Sequence, residues 1–255
     1  MNAKVWLVGA GPGDPELLTL KAVRALRQAQ VVLVDDLVNP AMLEHCPGAR
    51  VIAVGKRGGC RSTPQAFIQR LMLRHARQGR CVVRLKGGDP CIFGRGGEEA
   101  LWLQARGIEV EVVNGITAGL AGATQCGIPL TLRGVSRGVT LVTAHTQDDS
   151  EVNWQALAEG GTTLVVYMGV ARLEHIRRGL LEGGMAAHTP VAMIENASLP
   201  QQRACRSRLG GMTDDALAFG LRSPAILVIG EVVGESAALA GELRTGIGGL
   251  AKRPQ

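Results

Sequence analysis

Short runs of β-branched and aliphatic residues alternate with helix-like stretches along most of this 255-residue chain. Such alternation is typical of a parallel sheet covered by helices, with functional loops at the carboxyl ends of the strands. The pattern therefore predicts an α/β fold. In the first half, the predicted strands are 5–9, 31–34, 50–54, 81–85 and 109–113, and the predicted helices are 15–29, 64–77 and 117–126.

A segment rich in glycine, proline and arginine (127–138) interrupts this pattern before a second alternating set begins. Two α/β domains with a cleft between them are the natural inference, the first over 1–134 and the second over 138–234. The tail, 235–255, combines alanine, glycine and charge, and we expect a short helix there at most. The second set comprises predicted strands at 139–144, 163–168, 191–194 and 225–230 and predicted helices at 153–159 and 171–181.

The composition argues against several classes of protein. No apolar run approaches the roughly 18 to 20 residues of a membrane span, and the first residues lack the features of a signal peptide, so we expect a cytoplasmic protein. Six scattered cysteines and five histidines form no metal-binding motif, and no metal is expected. A net charge of +6 suits an anionic partner such as a nucleic acid, but an aromatic content of only 3% leaves few platforms for stacking bases, and a small polyanion fits equally well.

The first strand runs into a glycine turn, GAGPGD, that imitates a dinucleotide-binding fingerprint. Asp14 stands where the third glycine of that fingerprint belongs, and its charge would repel a pyrophosphate. Pro12 removes a backbone N–H that could hold phosphate oxygens. The turn therefore fits a close-packed neutral group better than a diphosphate, with a tight turn that binds nothing as the alternative. Asp14 is predicted to cap the helix that follows, with Pro15 as its first residue.

A second glycine loop, RLKGGDPCIFGRGGEE, follows the predicted strand CVVRL. Gly87 and Gly88 would let backbone groups approach a ligand closely, and Asp89 could accept a hydrogen bond from a ligand amine or hydroxyl. Arg95 offers a bidentate fork for a carboxylate, just before a helix that Glu98 opens. Glycine and charge are denser here than a turn requires, which favours a ligand site over a solvated loop.

A resemblance to a known family is carried by GAGPGDPELLTLKA, VDDLV, RLKGGDPCIFGRGGEE, GITAGLAGATQCGIPLT, YMG and SPAILVIGEVV. In this order and spacing, over roughly residues 4–234, they resemble the tetrapyrrole methylases. The resemblance implies a two-domain α/β enzyme, usually a homodimer, that binds S-adenosylmethionine in the cleft between its domains. It also implies methylation of uroporphyrinogen III at carbons 2 and 7, giving precorrin-2 by way of precorrin-1, with S-adenosylhomocysteine as the other product. Sirohaem, cobalamin and haem d1 all draw on precorrin-2.

The same resemblance assigns residues to the cofactor. Small side chains and backbone groups suit this ligand, because its sulfonium is positively charged and its adenine needs a flat slot. The implied cofactor-binding residues are Pro12, Gly87, Gly88, Asp89, Ile92, Thr117, Ala118, Met168, Ala197 and Ala225.

A second implied set orients the macrocycle and assists the loss of a proton after methyl transfer. Arg95 is expected to position substrate rather than act as a base, because the pKa of arginine exceeds about 12. Asp35 and Arg133 could instead be ordinary strand-end and linker residues, Glu98 a first-turn acid favoured by the helix dipole, and Met168 a core residue. The implied catalytic residues are Arg95, Glu98, Asp35 and Arg133, and the implied anchors for the substrate's acid arms are Lys56, Arg57, Arg95 and Arg133.

The chain departs from the usual family pattern at several positions. The most consequential departure is Leu132, because the relatives carry a histidine beside the equivalent of Arg133. Its loss argues against a proton shuttle at that position. The departures are Cys91, Gln125, Cys126, Leu132 and Ala144.

Three other functions compete with this one. A sibling methylase could act on a later precorrin or on a non-tetrapyrrole substrate such as a modified histidine. A nicotinamide dehydrogenase is suggested by GAGPG and would bind NADH, whereas a ligand carrier would bind S-adenosylmethionine without turning it over. No dehydrogenase or ferrochelatase region precedes Lys4, so the chain is expected to be a methylase alone.

Overall fold

The structure is a computed structural model that describes residues 4–55, 63–145 and 151–235. The chain divides into two compact units, Met1–Ala118 and Gly119–Gln255, and each unit contains its own five-stranded sheet. Within the described ranges, no helix is both long enough and apolar enough to cross a membrane. Lys56, Arg57 and residues 236–255 lie outside the described residues, so what the sequence predicts for them stays a prediction.

The first unit is a parallel α/β sheet, as the alternation predicts. Its strands are β1 (Lys4–Gly9), β2 (Val31–Val34), β3 (Arg50–Ala53), β4 (Val82–Lys86) and β5 (Glu109–Val113). They lie in the order β3-β2-β4-β1-β5, and every neighbouring pair is parallel. Its helices are α1 (Leu20–Gln28), α2 (Gln65–Arg77) and α3 (Gly96–Gln104), with 3₁₀ turns at Pro15–Leu17 and Pro40–His45.

Both faces of this first sheet are covered, which explains its nearly continuous apolar strands. Successive residues of a strand point to opposite faces, so Val8 and Val32 join one core cluster whereas Leu7 and Leu33 join another. The first cluster includes α1 residues and the second includes α2 and α3 residues. Burial is complete along the central strand β4, whereas the edge strands β3 and β5 are partly exposed, and the loops emerge at the ends of the strands.

The first predicted helix is in fact two pieces. Asp14 caps only the 3₁₀ turn, accepting from the Glu16 N–H at 2.9 Å, with Pro15 as the first residue of that turn. Thr19 then adopts an extended conformation and caps α1, accepting from the Ala22 N–H at 3.2 Å. The prediction of one continuous helix is therefore wrong, because the threonine offers the backbone a second cap.

The second unit is built around a mixed sheet. Its strands are β6 (Val139–Thr143), β7 (Thr163–Tyr167), β8 (Pro190–Glu195), β9 (Arg203–Arg208) and β10 (Ala225–Ile229). They lie in the order β6-β7-β10-β8-β9, and only β6 and β7 are parallel. Its helices are α4 (Ala118–Gln125), α5 (Trp154–Glu159), α6 (Leu173–Glu182) and α7 (Met212–Phe219).

The sequence analysis did not predict β9 or α7. The sequence of β9, RACRSR, has no buried residue because the strand lies at the edge of the sheet. A strand of this kind forms by backbone pairing with β8 rather than by burying a hydrophobic face. Hydrophobic alternation, the signal on which the strand predictions depended, is therefore missing.

The division between the units lies before Gly119, ahead of the predicted break at 134–138. The reason is the packing of α4 within the second unit. The Gly119 N–H donates to the Tyr167 hydroxyl at 3.0 Å, and Gly122 lies so close to Ala197 that an added Cβ would be 3.0 Å from its methyl group. The sequence grouped this helix with the first half because nothing local reveals which sheet it packs against.

The packing of α4 leads to a testable comparison between two helical glycines. A methyl group at Gly119 would overlap the Tyr167 hydroxyl and lie 2.5 Å from Val165 Cγ1, whereas one at Gly97 of α3 would meet nothing within 4 Å. We expect Gly119→Ala to destabilise the protein by about 1–3 kcal/mol. Gly97→Ala should be neutral or stabilise by up to about 1 kcal/mol through helix propensity. Urea unfolding measures both, and equal effects would contradict the packing described.

Candidate active site

Two loops at the carboxyl edge of the first sheet, after β1 and β4, are joined by backbone hydrogen bonds. The Ala10 N–H donates to Lys86 O at 2.7 Å. Gly11 and Gly88 exchange two further bonds, of 3.2 Å from the Gly11 N–H and 2.7 Å from the Gly88 N–H. The two predicted glycine loops are therefore one continuous structure.

A third loop, after β5, packs against the same place. An added Cβ on Gly9 would lie 2.5 Å from Gly115 N and 2.6 Å from Gly88 O, and one on Gly115 would overlap Gly88 O. Gly88 also has a φ of +66°, a conformation that favours glycine. Close contact of the loops with one another explains Gly9 and Gly115 without a ligand, and the sequence analysis did not single out Gly115.

Asp89 braces these loops from inside. It is buried, and it accepts from the Cys91 N–H at 2.7 Å, the Gly115 N–H at 3.0 Å and Asn114 Nδ2 at 3.4 Å. Both carboxylate oxygens thus bond to the loops themselves. Asp89 shapes the site directly, and its predicted contact with the cofactor stays a prediction.

Several residues other than glycine adopt left-handed backbone conformations in or beside the motifs. Phe93 and Arg95 have φ values of 52° and 59° in the loop before α3, and Met168, Asn196 and Ser198 have values of 52–64° in the second unit. Such conformations are uncommon outside glycine and cluster at functional sites. Their positions support the choice of these loops as the site.

Arg95 and Glu98, both predicted to act in catalysis, are paired. Arg95 donates from Nη2 to Glu98 Oε2 at 2.7 Å and from Nε to Oε1 at 3.1 Å. This fork raises the pKa of Arg95 and lowers the pKa of Glu98. Because 40% and 56% of the two side chains are exposed, the pair is weak, and a substrate carboxylate could replace Glu98 on the fork.

A buried group of charges, here called the Arg84 cluster, lies within the first unit. Arg84 of β4 contacts Asp35 Oδ2 through Nη2 at 3.1 Å and Glu99 Oε1 through Nε at 3.4 Å. Glu99 Oε1 also accepts from Gln65 Nε2 at 2.7 Å and Lys86 Nζ at 3.5 Å. Arg84, Lys86 and Glu99 are almost wholly buried, whereas 35% of the Asp35 side chain is exposed. Through Arg84, this cluster therefore connects Asp35, one of the predicted site residues, to Glu99 of α3.

The sequence analysis found only Asp35 of this cluster. A signal for the rest exists in β4, where two cations alternate in VVRLK. A central strand of a parallel sheet is buried on both faces, so cations within it need carboxylate partners. The identity of those partners depends on how α2 and α3 pack, which the local sequence does not show.

Three predicted cofactor residues meet at one end of the second sheet. Met168 follows β7, whose last residue, Tyr167, pairs with Ile226. Ala225, the first residue of β10, pairs with Glu195, the last residue of β8, and Ala197 lies two residues after Glu195. The Asn196 N–H donates to Pro224 O at 3.0 Å, which ties these two segments together. Met168 is 49% exposed, so it is not a core residue of the described structure.

The other predicted residues fall in two places. On the first unit, the carboxyl-edge loops carry Pro12, Gly87, Gly88, Asp89, Ile92 and Thr117, and Ala118 follows as the first residue of α4. Arg133 is on the second unit, exposed on a turn closed by two hydrogen bonds between Leu132 and Ser136. Among the described residues, no group of three His, Cys, Asp or Glu side chains could hold a metal ion.

The first-unit loops suit S-adenosylmethionine chemically. They present glycine backbone, and the carboxylate of Asp89 lies just beneath them, which favours a cationic sulfonium over a phosphate. Pro12 lacks the backbone N–H that a diphosphate would need there, and the negative charge of Asp14 would repel a diphosphate. The residues present therefore fit this cofactor better than they fit a dinucleotide.

A model of one protein family matches this chain over residues 4–213, the family described as Tetrapyrrole (Corrin/Porphyrin) Methylases. The chain belongs to the tetrapyrrole methylases. The two α/β units therefore represent the two-domain fold of this family, as the resemblance implied.

Individual relatives within the tetrapyrrole methylases agree with this assignment. The uroporphyrinogen-III C-methyltransferase of Pseudomonas aeruginosa is 78% identical over 91% of this chain and 95% of its own length. A crystal structure of uroporphyrin-III C-methyl transferase from Thermus thermophilus, complexed with S-adenosyl homocysteine, gives a TM-score of 0.76 at 44% identity, covering 90% of this chain and 93% of the other. Siroheme synthase 2 of Aeromonas hydrophila is 47% identical over 90% of this chain and 49% of its own length.

The bracing role of Asp89 can be tested with Asp89→Asn. An amide can accept at only one of the two positions where the carboxylate accepts, so we expect a loss of about 1–3 kcal/mol in stability. Hydrogen exchange should also accelerate at the Cys91 and Gly115 amides. Asp14→Asn is the matched control, because asparagine also caps helical turns. Hydrogen exchange at the Cys91 and Gly115 amides should not change in this variant. Unaltered exchange in Asp89→Asn would exclude the bracing role.

Glu195 in the second unit predicts a pH-dependent stability. Arg203 Nη2 donates to it at 2.7 Å and lowers the pKa of this carboxyl, with help from the Arg222 N–H. A lowered folded-state pKa gives stability above the unfolded value of about 4.3, which is lost as the pH falls through the folded value. We expect Arg203→Met to lose stability at pH 7 and to approach wild type below about pH 4. Arg208→Met, on the same strand, is the control. The free energy of unfolding in urea is measured for both variants between pH 7 and about pH 4.

Proposed function

We propose that this chain transfers methyl groups from S-adenosylmethionine to carbons 2 and 7 of uroporphyrinogen III, giving precorrin-2 by way of precorrin-1. The observation that carries this proposal is the 78% identity, across nearly both full lengths, to a uroporphyrinogen-III C-methyltransferase. The interlocked glycine loops, built from the residues that define the family motifs, support it. S-adenosylhomocysteine, the ligand in the Thermus thermophilus structure, is the product expected from the cofactor.

S-adenosylmethionine supplies a methyl group already activated by its sulfonium. The chain's own residues therefore hold and orient the reactants and exclude water, which is the main requirement of such a transfer. We assign cofactor binding to the carboxyl-edge loops of the first unit and to Met168, Ala197 and Ala225 of the second. Their backbone groups and small side chains leave room for a close-fitting ligand.

The substrate is a polycarboxylated macrocycle, and cations are needed to hold its acid arms. Arg95 has the fork geometry for a carboxylate and lies at the start of α3. Arg133 is an exposed cation on the second unit. Lys56 and Arg57, outside the described residues, complete the proposed set of anchors.

A proton must leave the substrate after each methyl transfer. Asp35 and Glu98 are the carboxylates assigned to receive it or to hold the macrocycle while it departs. Asp35 suits this role because its carboxylate is fixed from one side by Arg84 and open on another. Arg95 positions the substrate and does not act as a base, because the ion pair with Glu98 raises its pKa further above the ordinary value.

The similarity to siroheme synthase 2 supports sirohaem synthesis as one destination of the product, since the methylase portion of that protein spans about half its length. We also propose that the protein is a homodimer and is located in the cytoplasm. The described cysteines are free thiols, as expected in a reducing compartment.

The reaction itself is tested by incubating the protein with uroporphyrinogen III and labelled S-adenosylmethionine, followed by mass spectrometry. The expected product carries two added methyl groups. Labelling of a later precorrin, with uroporphyrinogen III left unchanged, would favour a sibling methylase instead.

The assignment of Arg95 and Glu98 predicts a loss of turnover without a loss of cofactor binding. We expect Arg95→Ala and Glu98→Ala each to lower kcat by about a hundredfold or more, with the Kd for S-adenosylmethionine within about twofold of wild type. Arg177 and Glu174 form a matched control pair, also bidentate and at the same spacing on a helix. Arg177→Ala and Glu174→Ala should leave kcat unchanged. Full activity of the Arg95 and Glu98 variants would show that the substrate contacts lie elsewhere.

A further inference from the structure

The Arg84 cluster places three almost wholly buried charged side chains in the first unit. A buried ion pair is commonly replaceable by apolar residues without loss of stability, so its presence calls for another explanation. Here the cations of Arg84 and Lys86 lie beside one fully buried carboxylate, Glu99. Asp35 supplies the fourth charge and is the member of the cluster that reaches solvent.

The contacts fix the Asp35 carboxylate at both oxygens. Its Oδ2 accepts from Arg84 Nη2 at 3.1 Å, and its Oδ1 accepts from the Asp36 N–H at 3.1 Å. The backbone N–H of Asp35 donates to Leu85 O at 3.2 Å. The side chain therefore follows β2 in one defined direction, with its remaining lone pairs directed away from Arg84.

Arg84 is itself held in place. Its Nη1 lies 3.4 Å from Leu33 O and 3.5 Å from Leu85 O, and its Nε lies 3.4 Å from Glu99 Oε1. A guanidinium can serve a carboxylate and carbonyl groups at once because its five N–H groups form a rigid fork, which the ammonium of lysine lacks. The site thus favours arginine for its geometry as well as for its charge.

The carboxylate behind Arg84 is unevenly bonded. Glu99 Oε1 accepts from Gln65, Arg84 and Lys86, whereas Glu99 Oε2 is buried without a hydrogen-bond partner among the described residues. One oxygen of Glu99 thus accepts from both cations of β4 and from Gln65 of α2. Burial and the charge of Arg84 lower the pKa of Lys86, and Glu99 Oε1 lies 3.4 Å from Arg84 Nε. Glu99 therefore anchors the guanidinium that faces Asp35.

We propose that Arg84 is a positioning residue for methyl transfer, which orients the Asp35 carboxylate toward the substrate and is in turn anchored by Glu99. The inference rests on the proposed function, in which Asp35 faces the macrocycle. Arg84 is buried and does not touch substrate, so it acts only through Asp35. Loss of the guanidinium contact leaves the Asp35 carboxylate held only at Oδ1 by the Asp36 N–H, so it is less well oriented and the fraction of productive complexes falls.

A double-mutant cycle with Arg84→Lys and Asp35→Asn tests this inference on the full-length protein. We expect Arg84→Lys to lower kcat about tenfold to a hundredfold, with the KM for uroporphyrinogen III and the Kd for S-adenosylmethionine within about twofold of wild type. In the Asp35→Asn background, the same change should alter kcat by less than about twofold, because the group that Arg84 orients has already been disabled. Single-turnover transfer of a labelled methyl group extends the measurement to slow variants.

Two further variants separate positioning from a structural role. Arg106→Lys changes another arginine of the first unit, which bonds Trp102 O at 2.9 Å, and should leave kcat unchanged. Arg84→Met removes the charge and should lower kcat more than Arg84→Lys does, with unfolding in urea measured beside it. Asp35→Asn could abolish turnover altogether, and the cycle then gives no second measurement. In that case a kcat that falls from wild type to Arg84→Lys and falls again in Arg84→Met, at constant cofactor affinity, supports the inference.

The outcomes that overturn the inference differ from those that overturn the proposed function. Wild-type turnover with an unchanged kcat in Arg84→Lys, or additive effects of the two substitutions, would show that Arg84 only stabilises the unit. A wild-type protein that transfers no methyl group to uroporphyrinogen III would overturn the proposed function itself.

Discussion

Direct contact between three backbone loops at the carboxyl edge of the first sheet is the constraint on which the candidate site depends. The loops after β1, β4 and β5 approach so closely that Gly9 and Gly115 have no space for a side chain. Asp89 lies beneath them and accepts hydrogen bonds from two of their backbone N–H groups. Because no side chain intervenes, the loops form a rigid surface made largely of main-chain atoms, against which a small neutral or cationic group can pack closely.

Charge is distributed in two ways around this surface. Arg95 and Glu98 are exposed and paired with each other, so their pairing is weak, which supports the proposed exchange of Glu98 for a substrate carboxylate. The Arg84 cluster is buried, where ionic contacts are stronger and their geometry is fixed by packing. Asp35 belongs to both environments, since it is bonded to a buried cation and still reaches solvent. This contrast separates residues suited to exchanging ligands from residues suited to maintaining an orientation.

The second unit also brings predicted cofactor residues together at one end of a sheet, although its sheet is mixed rather than parallel. Its strands are mostly antiparallel, yet Met168, Ala197 and Ala225 meet at one sheet end. Left-handed conformations at Met168 and on both sides of Ala197 turn the chain sharply at that end. Both units therefore present short, sharply turned segments at a sheet edge, which supports their proposed roles in binding the cofactor.

The sequence by itself determined the alternation of strands and helices, the parallel first sheet and the motif loops, because local periodicity and glycine spacing encode them. It did not determine the edge strand β9, the break at Thr19 or the second-unit packing of α4, since those depend on backbone pairing, a competing cap and a distant tyrosine hydroxyl. Asp35 was found from its motif. Its link through Arg84 to Glu99 was decided only by the tertiary structure, because the fold brings these residues, far apart in the chain, together as ion-pair partners.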